Sequence, residues 1–148
     1  MENRGLERYA PLAGVVFLVL IIVSFIVSGE PPDTDDGAAE AVEYWTDNDS
    51  QQVAGSVIAA IAAVALVWFG GSLRELLLRA GADRLAALAF AGLVIVATGI
   101  GVDSSLRFAA AESVGDVSPD VTHTITALFS YFFFPFTIGF AVTLLATA

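Results

Sequence analysis

Charged and apolar positions in this chain fall in long separate blocks rather than at short alternating spacing. Four stretches carry no charge at all: Ala10–Gly29, Val53–Leu73, Leu85–Val102 and Ile125–Ala148. Each has at least 18 residues, enough for a helix to cross about 30 Å of hydrocarbon. In lipid such a segment must be helical, because a helix satisfies its own backbone donors and acceptors. The pattern predicts an all-α fold: one polytopic transmembrane helical bundle of four antiparallel spans. The spans lie at about 10–29, 53–73, 85–104 and 119–147, with outer loops 30–52 and 114–118 and an inner loop 74–84.

The first outer loop has a pattern of its own. Pro31-Pro32 makes a stiff exit, and the acids from Asp33 to Asp36 supply helix N-caps. Ala38, Ala41, Val42 and Trp45 then follow at i, i+3, i+4 and i+7, the spacing of one helical face. This predicts a short amphipathic helix over about 36–45, on the membrane surface or on the bundle. Asp49 and Gln52 have capping-box spacing and mark the start of the second span.

The third span continues its helical pattern through Leu106, Phe108 and Ala109–Ala111 to about residue 113, with Gly115 as a stop. Ser118-Pro119-Asp120 is a helix start with Pro at the first position. Both helices are then longer than the apolar layer, so a helical hairpin should stand above the outer surface. Pro135 lies inside the fourth span and predicts a kink, since it cannot donate to the Tyr131 carbonyl. Tyr9, Trp68 and Phe69 fall near the inner boundary, and Tyr44, Trp45 and Tyr131 near the outer one, as an aromatic belt requires.

Composition sharpens this picture. The chain of 148 residues is 57% hydrophobic and 15% charged, against roughly 25% charged in soluble domains. A soluble or disordered chain is excluded. The net charge of −10 is a sum of unlike parts. Five Arg and four acids lie with the N-terminal tail and the 74–84 loop; one Arg and twelve acids lie with the other two loops. By the positive-inside rule both ends of the chain face the cytoplasm, in a cytoplasmic (inner) membrane. The first apolar run exceeds the roughly 7–15 residues of a signal-peptide core, so it is read as an uncleaved span.

The same charge argues against nucleic acid as a partner. There is no Cys and a single His, His123, so thiolate chemistry and multi-His metal sites are out of reach. No cofactor, metal or catalytic residue is expected, and the chain is read as a non-enzyme.

Three short strings carry a resemblance. They are Pro11-Leu12-Ala13-Gly14, the Trp68-Phe69-Gly70-Gly71-Ser72-Leu73-Arg74 end of the second span, and Phe132-Phe133-Phe134-Pro135-Phe136. In order and spacing, and with the acidic Tyr44-Trp45 loop, the chain resembles an uncharacterised bacterial family of multi-span integral membrane proteins grouped as a domain of unknown function. The resemblance implies a multi-pass bundle with further spans after Ala148, and carries over no catalytic residue.

The four span cores hold no ionisable side chain, which argues against ion-coupled transport or proton relay. Three groups of residues remain. Asp103 and Arg107, at i and i+4, could form an outer-mouth polar cluster with His123 and Thr126, or simply an intrahelical ion pair. Phe129, Phe133 and Phe136 share a face beside Pro135 and could line an apolar pocket. Gly55, Ala59 and Ala63, and Ala97 and Gly101, recur every four residues and suit close helix packing. These give three functional readings. The foremost is an accessory or scaffolding component that binds a membrane-protein partner or a second copy within the lipid bilayer. The second is a neutral-solute or lipid-handling transporter. The third is an outer-surface enzyme using Asp103, Arg107 and His123.

Overall fold

The computed structural model describes residues 12–33 and 35–148. Arg4, Arg8, Tyr9 and the start of the first span at residues 10–11 lie outside them. The described residues form six helices and no strand: α1 (Leu12–Ser28), α2 (Ala38–Asp47), α3 (Asp49–Arg79), α4 (Asp83–Ser113), α5 (Pro119–Tyr131) and α6 (Phe134–Thr147). The fold is an all-α bundle.

Among the described residues, three helical segments are long and apolar enough to cross a membrane: α3, α4, and the 29-residue segment Pro119–Thr147 that joins α5 to α6. Helix α1 is apolar but shorter, at 17 residues. Helices α3 and α4 have 31 residues each, about 46 Å at 1.5 Å per residue. The sequence placed a loop at 74–84, yet α3 continues to Arg79 and the turn is only residues 80–82. Arg74, Glu75 and Arg79 sit on a helical extension of good helix formers, with an exposed Glu75–Arg79 pair at 2.6 Å. The tight reversal is made at Gly81, whose φ of +76° suits a residue without a Cβ.

Helices α3 and α4 form the centre. Helix α1 packs along α3, and α6 packs along α4; among the described residues α1 and α6 are not a packed pair. The core joins Phe17 of α1, Ala59, Ala62, Ala63 and Leu66 of α3, and Leu93, Val96, Ala97 and Ile100 of α4. Small residues on facing helices let backbones approach, so dispersion contacts accumulate. Helices α4 and α6 approach each other closely. A Cβ placed on Gly139 would lie 2.6 Å from the Gly92 carbonyl oxygen and 2.6 Å from Val96 Cγ2. Thr143 Oγ1 donates at 2.9 Å to Gly139 O and at 3.3 Å to Ala89 O, tying the two helices together.

The packing stripe read from sequence divides in the structure. Gly55 meets Ser28 of α1, and Ala59, Ala63 and Ala97 are buried. Gly101 is different: a Cβ there would meet nothing within 4 Å.

The last span breaks at Phe132–Phe133, where the Pro135 ring replaces the donor that Tyr131 O would need. Phe132 N instead donates back to Phe129 O at 3.2 Å. Pro135 was grouped with a pocket; it packs against α4, and a Cβ on Gly99 would sit 2.9 Å from Pro135 Cβ.

Candidate functional site

The end of the bundle that carries α2, the C-terminal turns of α4 and the start of α5 is rich in acids, and is called here the acidic end. Helix α2 lies on the bundle. Its Trp45 is fully buried and packs with Ala110 and Ala111 of α4 and, more loosely, Ile125 and Phe129 of α5. The expectation that Trp45 belongs to an interfacial belt is therefore corrected: its i, i+4 partnership with Ala41 turns it inward. The indole Nε1 donates to Thr126 Oγ1 at 2.9 Å, and Thr126 donates to Thr122 O at 2.9 Å. A buried indole needs such an acceptor.

Gln52 departs further from its expected role. No side chain caps α3, whose N-cap is Asn48. Asp49 accepts from Ser50 N next to it, and Gln52 is fully buried. The Gln52 amide donates to Ser28 O and, at 2.7 Å, to the Tyr44 hydroxyl oxygen. Tyr44 OH donates to Ser28 O at 3.1 Å. One carbonyl at the end of α1 thus gathers α2 and α3, because the last carbonyls of a helix lack intrahelical donors. Burial pushes the Tyr44 hydroxyl above its ordinary pKa of 10.0; the Arg107 guanidinium and the Gln52 hydrogen bond oppose this, and Glu30 reinforces it.

Below this cap lies a cavity of about 460 Å³, within the roughly 300–1,000 Å³ of small-molecule sites. It occupies the gap between α1 and the broken last span, with α3 and α4 as its floor. Its apolar walls are Phe17, Leu18, Ile21 and Phe25 of α1 facing Phe129, Phe132, Phe133, Phe136 and Phe140. The three phenylalanines singled out in the sequence all line it, and Pro135 enables it by breaking the helix that presents them.

One end of the cavity is polar. Asp103, Ser104 and Arg107 of α4 and Ser56 of α3 lie in its wall. Arg107 Nε donates to Asp103 Oδ2 at 2.9 Å, and the two side chains are only 16% and 21% exposed. The guanidinium also lies 4.8 Å from the centre of the Phe129 ring, a cation–π contact. Its Nη1 is buried with no partner in the protein, as are the hydroxyl oxygens of Ser56 and Ser104. Serines deep in helices usually donate to the i−4 carbonyl, as Ser105 does to Gly101 O at 2.8 Å. Ser56 and Ser104 do not.

The four residues grouped at the mouth are therefore divided. Asp103 and Arg107 pair in the cavity wall. Thr126 serves Trp45 instead. His123 bonds to none of them, and its Nε2 is buried without a partner. Among the described residues no three His, Asp or Glu side chains gather closely enough to hold a metal ion. The sequence pointed to the aromatic wall and the ion pair but not to Ser56, Ser104 or Gln52, whose roles depend on helices distant along the chain. No family model, curated protein or solved structure matches this chain.

Proposed function

We propose that this protein binds a membrane-resident amphiphile in the cavity between α1 and the last span, and so handles a lipid or lipid-like molecule rather than catalysing a reaction. The cavity itself carries the reading: a phenylalanine wall along its length, with hydrogen-bonding groups that lack protein partners at one end. Such a wall suits an acyl or isoprenoid chain, and such an end suits a head group. The accessory-component reading draws less support, since Gly55, Ala59, Ala63 and Ala97 spend their small-residue faces on packing within the chain. The enzyme reading draws less still, as His123 does not join Asp103 and Arg107.

In this proposal the chain is multi-pass in the cytoplasmic membrane, with the α3–α4 turn inside and the acidic end outside. The charge asymmetry supports it, Arg74, Arg79 and Arg84 lying at the one end and most acids at the other. The test is native mass spectrometry of the full chain released directly from native-membrane nanodiscs, with no detergent step. The expected result is a lipid-sized adduct that Ser104→Phe, which fills the polar end, removes while helical content is unchanged. A wild-type protein without adduct overturns the proposal.

A further inference from the structure

The polar end of the cavity is built for a head group without net charge. We infer that the ligand is an uncharged amphiphile whose head presents carbonyl or hydroxyl oxygens, of the diacylglycerol or quinone kind, and that Asp103 sets this choice. The inference rests on the proposed function and narrows it.

Two independent observations lead there. First, the only cation at the site among the described residues is already matched. Arg107 gives Nε to Asp103 at 2.9 Å, and both are mostly buried, so the wall presents a neutral pair. What it still offers is hydrogen-bond donors: Arg107 Nη1 and the hydroxyls of Ser56 and Ser104, none with a partner in the protein. A buried donor left alone is costly. An oxygen from a head group recovers that cost without bringing a charge into the low-dielectric gap.

Second, the surroundings are negative. Arg107 is the one base among the residues of the acidic end, against twelve Asp and Glu in the chain segments that form it. Glu30, Glu112, Asp116 and Asp120 lie on those same segments. The field therefore repels carboxylate and phosphate heads on approach. A neutral carbonyl head feels no such penalty and can lay its chain along Phe132, Phe133 and Phe136.

The test uses the full chain in phosphatidylcholine nanodiscs. Trp68→Phe leaves Trp45, 5.6 Å from Phe129, as the sole tryptophan, excited selectively at the red edge of the absorption band. Quenching by brominated dioleoylglycerol and brominated oleate is compared at pH 8, with decylubiquinone as a third probe that separates the quinone source from the lipid one. Quenching by the diacylglycerol or the quinone at a bilayer mole fraction at least tenfold below oleate is expected. Asp103→Asn, which frees the Arg107 charge, should narrow that preference to under threefold. Arg107→Gln should weaken binding of the neutral probe fivefold or more and leave oleate excluded; it stands in if Asp103→Asn fails to fold. Oleate binding the wild type as well as the neutral probes, or a preference unmoved by Asp103→Asn, overturns the inference while leaving amphiphile binding intact. Failure of all three probes to quench overturns both.

Discussion

Trp45 and Gln52 are each fully buried at the acidic end, and each spends its polar group on a distant helix. Thr126→Val should leave Trp45 Nε1 buried without an acceptor and cost about 1–3 kcal/mol, seen as a lower thermal midpoint in detergent. Trp45→Phe, which removes the donor as well, should cost less than Trp45→Ala, for which lost packing adds to give about 3–5 kcal/mol. Tyr44 gives a pH signature. Burial holds its proton more tightly in the folded chain than in the unfolded one. Stability should thus be flat up to about pH 10 and fall as pH rises beyond it through the folded value, and Tyr44→Phe should abolish that fall. Ultraviolet absorbance during alkaline titration would report Tyr44 ionising late; an ordinary midpoint would contradict the burial argument. None of these roles is legible locally. Asp49 and Gln52 carry the spacing of a cap, but the bonds that win come from Ser28 and Tyr44, outside α3 altogether.

At the scale of elements, the sequence was most informative where the signal is a long run. Uninterrupted apolar blocks mark the helices because lipid leaves the backbone no alternative, and Pro135 marks the break in the last span because its missing donor acts locally. Packing partners are less legible. Gly101 and Gly139 look alike as letters, yet one faces open space and the other touches Gly92. Gly139→Ala should push α6 away from α4 and cost about 1–3 kcal/mol by overpacking. Gly101→Ala should be neutral or slightly stabilising, since it adds helix propensity and meets no neighbour. Equal effects in a thermal shift assay would refute the close approach of α4 and α6. Ser56 and Ser104 escaped notice for a related reason: a serine in an apolar helix ordinarily bonds its own turn, so only the cavity beside it makes its hydroxyl conspicuous.

For the whole molecule, the separation of Arg from acid supports the proposed orientation, which can be measured directly. Cysteine is absent, so single replacements report without background. Asp47→Cys in α2 should react with a membrane-impermeant maleimide on intact cells, and Ala80→Cys, exposed in the α3–α4 turn, only after lysis. The reverse labelling would invert the topology.

The gap between α1 and the last span has a thermodynamic consequence. If the proposed ligand enters that gap sideways from hydrocarbon, it never reaches the site through water. Occupancy is then governed by the ligand's share of the bilayer, not by its aqueous concentration. A contact too weak to register as a micromolar affinity can still be filled when one lipid in a hundred is the ligand. Detergent, by diluting the lipid phase, should empty the site in proportion to the micelles added, with no change in the protein at all.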